Sequence, residues 1–453
     1  MNNGRSLFVH RKARITRANR ISADRQALLA EIRVKYADGT EEVFGTGTDW
    51  QVSEGGSWLE ADLCDGEVYD ASADINNNVW RSATIERLKI NPEIIAETGS
   101  PVRAHEVFSP ISCTKRADGE LIYDFGQNFA GVIRAEIDGK AGQKILFRHA
   151  EVLNADGSLA TALLRSAKAR AEYICKDGKQ SYSTEFTYMG FRYVGVKGAD
   201  EENLKLSAVA LYSDVESCGS FSCSDERINK LQSNIVWGAK SNFVEIPTDC
   251  PQRDERMGWT GDIAVFAPWA ECMARGDKRL PEKMYPVMKK YVKACKFWAG
   301  FGFGKHRYIW HTPHLLHFGD WVAPDVNKMS EWQKRSKWTA TASLCHTSQL
   351  TARVAEILGR ADEAKYYNNL AAKVADAYVS VFTDGNGTGG MISFNHYASG
   401  AVGDFLYKRV AGIIPEEGGY KKFMVKPLVG GGLTHARGET ILPLRQNRQR
   451  MAC

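Results

Sequence analysis

Four carboxylates fall within fourteen positions of the segment PTDCPQRDERMGWTGD, residues 247–262: Asp249, Asp254, Glu255 and Asp262, interleaved with Arg253, Arg256 and Trp259. This mixture suits a site that cleaves sugars. Hydroxyls want charged, bidentate hydrogen-bonding partners, and the apolar face of a sugar ring stacks on an indole. Breaking a glycosidic bond needs one carboxylic acid to protonate the leaving oxygen and a second carboxylate to activate water. Pro247 and Pro251 bar a regular helix at the start, which puts Asp249 on a loop. Glu255 and Asp262, seven apart, would share a face if residues 255–262 were helical, an arrangement that Gly258 and Gly261 oppose. Charges alone would favour a solvated loop of ordinary ion pairs, but Trp259 and Trp269 fit that simpler reading poorly.

Such side chains need a scaffold, and the chain offers two kinds. The first half alternates. Residues 28–44 (LLAEIRVKYADGTEEVF) switch between apolar and polar around Ala37-Asp38-Gly39, a turn suited to a hairpin. Residues 131–153 repeat the grammar, and residues 184–198 (TEFTYMGFRYVGVKG) are rich in aromatic and β-branched side chains. Short strands with Gly/Asp turns at this spacing predict β-sandwiches rather than a parallel sheet. From about Cys218 the period lengthens. Ile228, Leu231, Ile235, Val236 and Phe243 recur near 3.6 residues in 224–246, with Ser224 as the start signal. Residues 280–298, 341–359 and 361–382 predict further helices, the last two joined at Gly359-Arg360 as an αα-hairpin.

The segment 247–262 resembles, almost letter for letter, the signature of bacterial α-L-rhamnosidases of glycoside hydrolase family 78. Residues 61–72 (ADLCDGEVYDAS) look like the end of that family's N-terminal β-domain, and residues 123–153 and 186–196 like its next β-sandwich. Residues 317–325 (HFGDWVAPD) and 394–413 look like later strips of its catalytic (α/α)6 barrel, and residues 419–438 like the start of its C-terminal β-domain. The resemblance implies a multidomain β + α protein: N-terminal β-sandwich modules, a partial (α/α)6 barrel and a remnant of a C-terminal β-domain. The expected divisions are 1–100, 101–212, 213–418 and 419–453. It further implies inverting hydrolysis of terminal α-L-rhamnose from small rhamnosides or rhamnose-containing oligosaccharides, with no cofactor. Glu255 would be the general acid. Asp249, Arg253 and Asp262 would hold the sugar hydroxyls, Trp259 and Trp321 would wall the sugar, and His396 would lie near the bond being cleaved.

The chain also departs from that family. Fewer than two hundred residues separate Cys218 from Ile413, room for about half of a full barrel at ~12 residues per helix. Two joins look short, after Ala267 and after Gly387, so the chain reads as truncated and internally deleted. Residues from Glu439 onward resemble nothing in the family. The family's general base, a glutamate shortly before the His396 counterpart, has no equivalent here, where the carboxylates are Asp376 and Asp384. No base is assigned, and impaired activity is expected. Open barrel faces would expose apolar surface and invite aggregation or oligomers.

A net charge of +5 without a long Lys/Arg block gives nucleic acid no grip, residues 5–25 reading as a solvated arm. No apolar run approaches the ~18–20 residues of a membrane span, and no secretory signal is visible. Ten singly scattered cysteines suit a reduced, cytoplasmic protein. No Walker or G-x-G-x-x-G loop follows a strand. Two other functions compete: a non-catalytic carbohydrate-binding protein of the same descent, and a metal enzyme built on His306, His311, His314 and His317. Pro313 and the lack of a nearby cysteine disfavour the second.

Overall fold

The computed structural model describes residues 28–53, 55–85, 100–215, 217, 219–259, 279–301, 303–310, 329–382, 403–415, 423–427, 432–444 and 447–452. Alternation in residues 28–44 produces the expected hairpin, β1 (Glu31–Lys35) against β2 (Glu41–Gly45). Its turn closes with the Tyr36 N–H on Thr40 O and the Thr40 N–H on Asp38 Oδ1. A second small pair joins β3 (Gln51–Ser53) to β6 (Trp80–Ser82).

Ten strands form the main sheet: β4 (Trp58–Asp62), β5 (Gly66–Asp70), β7 (Val102–Phe108), β8 (Ser112–Lys115), β9 (Leu121–Gly139), β10 (Lys144–Ala150), β11 (Arg170–Ile174), β12 (Gly178–Ser183), β13 (Met189–Lys197) and β14 (Leu204–Ser213). Their order is β4-β5-β11-β10-β13-β9-β14-β7, with β8 and β12 also on β9. Only β5–β11 is parallel among these pairs, so strands from both sides of residue 100 share one sheet.

The long β9 explains the sandwich. Leu121–Asp124 pair with β8 and β13, whereas Arg134–Ile137 pair with β12 and β14, so one strand passes from one layer to the other. Phe129–Ile133, in the middle, are buried in succession; from Arg134 burial alternates as on a one-sided sheet. Phe129, Phe147, Phe191, Ile133 and Ile145 fill the core. Glu67 in β5 ties the layers, accepting from Tyr182 Oη at 2.7 Å and from the Glu185 and Phe186 N–H groups. Burial pushes its carboxyl above the ordinary range.

His149 of β10 lies in the same core. Its Nδ1 meets Ala169 O at 2.9 Å, and burial pushes its pKa down to about 4. The unfolded chain takes up that proton near pH 6.5, whereas the folded chain refuses it until about pH 4. Stability is therefore lost as pH falls through this window, by about 3 kcal/mol at its foot. His149→Gln should remove that share of the acid-side slope in melting temperature against pH; an unchanged slope would refute the assignment.

Helix α1 (Glu226–Asn242) matches the 3.6-residue pattern, but its N-cap is Asp225, not Ser224. The Asp225 carboxylate accepts from the Arg227 N–H and pairs with the Arg227 guanidinium, which holds its pKa down at about 2. Ser224 Oγ instead accepts from the Thr434 N–H. Short pairs follow, β16 (Phe243–Val244) with β17 (Ile246–Pro247), after β15 (Gly219–Cys223). Helices α2 (Arg279–Trp298), α3 (Met329–Ile357) and α4 (Ala361–Phe382) pack around Val292, Cys295, Leu344, Tyr367 and Val374. The α3–α4 corner turns where expected, at Gly359: its φ of 72° is left-handed, its N–H bonds Glu356 O, and the Arg360 N–H bonds Ala355 O.

The last strands are β18 (Ile413–Pro415) with β19 (Phe423–Val425), and β20 (Ala436–Leu444) with β21 (Asn447–Ala452). β20 also pairs with β15, bringing Cys223 opposite Ala436. Phe297, Phe301 and Phe303 are 62%, 53% and 90% exposed. No helix among the described residues is long and apolar enough to cross a membrane.

Candidate active site

The acidic segment hangs between the last turn of α1 and the face of the β-sandwich. After β16 and β17 the Thr248 N–H returns to Asn242 O at 2.8 Å. A loop then closes on itself. The Asp249 N–H donates to Met257 O, and the Met257 N–H donates to Asp249 Oδ1 at 2.8 Å. Beneath it, β13 comes so close that a Cβ on Gly190 would sit 2.6 Å from Pro251 Cγ and 2.9 Å from the Gln252 nitrogen. Gly190→Ala should therefore lift the loop and lower thermal stability by about 1–3 kcal/mol; an unshifted melting curve would count against this packing.

Arg256 anchors the loop from inside. It is fully buried, donates through Nη1 to Leu63 O and Tyr188 O, each at 2.8 Å, and lies 4.7 Å from the Tyr188 ring centre. Its φ of 50° rules out the helix that would have set Glu255 and Asp262 on one face, since no helical residue takes that conformation. Residues 251–259 are irregular, and Asp249 stands on a loop as expected.

Charge is concentrated here rather than solvated. Asp249, Arg253, Asp254 and Glu255 are 1%, 6%, 8% and 6% exposed. Arg253 Nη2 lies 3.1 Å from Asp249 Oδ2 and 3.2 Å from Glu255 Oε2, and the Trp259 indole N–H donates to Glu255 Oε1 at 2.9 Å. Burial pulls the Arg253 pKa down, but the Glu255 and Asp249 carboxylates more than offset it, and the guanidinium holds its proton above the usual range. Burial, then Asp249, pushes the Cys250 thiol well up, and its side chain is sealed from solvent.

The structure thus unites Asp249, Arg253, Glu255 and Trp259. Asp262, Trp321 and His396 lie outside the described residues, as do Trp269, Asp384, His311, His314 and His317. Asp376 is exposed on α4, an ordinary solvent-facing charge, and His306 is also exposed. Among the described residues no group of three His, Cys, Asp or Glu could hold a metal.

Two further contributors carry no mark in the sequence. Arg165, just before β11, donates to Glu255 Oε2 at 2.7 Å and lies 3.0 Å from Asp254 Oδ1. Ser166 Oγ donates to Asp254 Oδ2. Both lie in TALLRSAKAR, some ninety positions earlier, where no motif marks them.

Three domain families match in succession. The α-L-rhamnosidase N-terminal domain matches residues 3–114, and the bacterial α-L-rhamnosidase concanavalin-like domain residues 114–212. The bacterial α-L-rhamnosidase 6 hairpin glycosidase domain matches residues 216–275 and 262–390. The chain belongs to the bacterial α-L-rhamnosidase family. An α-L-rhamnosidase of Streptomyces avermitilis is 27% identical over 572 positions, covering 91% of this chain and 55% of the relative. One from Formosa agariphila is 29% identical, covering 78% and 45%. The crystal structure of the Streptomyces avermitilis α-L-rhamnosidase complexed with L-rhamnose matches 94% of this chain and 55% of its own, with TM-score 0.77 and 25% identity. The structure of the α-L-rhamnosidase from Dictyoglumus thermophilum covers 94% and 65%, at TM-score 0.78 and 24% identity, and shows the shared fold. This rhamnosidase-family chain therefore spans about half the length of the curated relatives it matches. The 572-position alignment exceeds the 453 residues available, so a stretch of the relative has no counterpart here.

Proposed function

We propose that the chain hydrolyses terminal α-L-rhamnosides with inversion at the anomeric carbon, Glu255 giving its proton to the leaving oxygen. The observation that carries this reading is the Glu255 carboxyl. It is buried and oriented by Arg165, Arg253 and Trp259, inside the segment matched by the glycosidase domain family. Asp249, Arg253 and Asp262 would take the sugar hydroxyls. Arg253 Nε has no hydrogen-bond partner among the described residues, which leaves a buried donor for an incoming oxygen. Trp259 and Trp321 would wall the ring, and His396 would sit near the scissile bond. With no base assigned, the rate is expected to fall below that of a complete barrel by about 10²–10⁴-fold.

The test uses the whole chain with p-nitrophenyl α-L-rhamnoside, following nitrophenol release and the anomer first formed by NMR. Slow release with β-L-rhamnose appearing first supports the reading. Retention of configuration would overturn inversion. Absence of turnover would overturn hydrolysis, and absence of calorimetric L-rhamnose binding as well would overturn the site.

A further inference from the structure

We infer that Arg165 is a positioning residue for Glu255, so that the β-sandwich completes the active site rather than merely preceding it. This rests on Glu255 being the proton donor. Its carboxyl is held by Arg253 and Trp259, which belong to the same loop and move with it, and by Arg165, which comes from another domain. Arg165 also faces Asp254, whose other oxygen accepts from Ser166. Two consecutive carboxylates are thus fixed by two consecutive residues of the sandwich.

Arg165 contrasts with Arg256. Arg256 is sealed from solvent and bonds to carbonyls, as a structural strut does. The Arg165 side chain is 41% exposed, meets the Asp254 and Glu255 carboxylates, and so spans the open side of the site. Its backbone sits at φ 58°, ψ −113°, a conformation L-residues rarely adopt and one that clusters where function demands it. Proton transfer needs the carboxyl plane fixed, and a misplacement of ~1 Å can cost on the order of 100-fold in rate.

Arg165→Ala and Arg165→Lys in the whole chain test this. First, carbodiimide labelling with glycinamide is read peptide by peptide. Glu255 and Asp254 should label about tenfold faster in the Ala variant, as expected when a charge-assisted bond is lost. Asp249 should stay protected, the melting temperature should fall only modestly, and Lys should restore part of the protection. Unchanged Glu255 labelling, or Asp249 opening in parallel, would overturn the role. Second, rhamnosides are compared by leaving group. The Ala variant should lose about 100-fold in kcat on an alkyl rhamnoside, which needs a proton, and far less on a dinitrophenyl one. Equal losses would mark a structural effect. If the unaltered chain neither binds nor cleaves rhamnosides, the functional reading falls while the labelling still decides whether Arg165 holds Glu255.

Discussion

Glu255→Gln should lower turnover of alkyl α-L-rhamnosides by about 10²–10⁴-fold, the contribution of a positioned general acid, while L-rhamnose binding changes by less than about tenfold. The amide keeps the shape of the carboxyl but has no proton to give. It also has one oxygen where the native side chain offers two, against donors from Arg165, Arg253 and Trp259. At least one donor must then face an N–H, so a modest fall in melting temperature should accompany the lost rate. Dinitrophenyl rhamnoside, whose leaving group needs little protonation, should recover much of the activity. A variant that cleaves alkyl rhamnosides at the native rate would remove Glu255 from the reaction.

Arg256→Ala should destabilise the folded chain by about 3–5 kcal/mol, because it combines a cavity with orphaned acceptors. Arg256 heads the fully buried side chains by volume among the described residues, and its removal strips a donor from Leu63 O and Tyr188 O. These carbonyls belong to the β4–β5 corner and the entry to β13, so the loss separates loop from sandwich. Alanine leaves the strained φ of 50° in place, whereas glycine relieves it. Arg256→Gly should therefore melt above Arg256→Ala despite its smaller side chain. The reverse order would show that the left-handed backbone contributes nothing.

Local pattern made much of this legible. Alternation located β1, β2 and β13, and Gly359-Arg360 marked the α3–α4 corner, because strand period and cap chemistry are written in neighbouring residues. The acidic segment was legible through its composition and its family likeness. The irregular run after Glu255 was not, since the φ of Arg256 is imposed by contacts with Leu63 and Tyr188, distant in sequence. Arg165 was invisible for the same reason. A lone arginine among alanines and leucines carries no local mark, and only tertiary folding brings it to Glu255. Ser224 and Asp225 are both good N-caps by type, and the competing bond from Thr434 decided between them.

The partners that seat residues 249–257, namely Leu63, Arg165, Ser166, Tyr188 and Gly190, all precede that loop in the chain. During synthesis they leave the ribosome first, and domains generally fold as units in that order. The nascent sandwich can thus serve as a finished mould against which the acidic loop sets as it emerges. A polypeptide begun downstream of β14 would carry the reactive carboxylates with no surface to shape them.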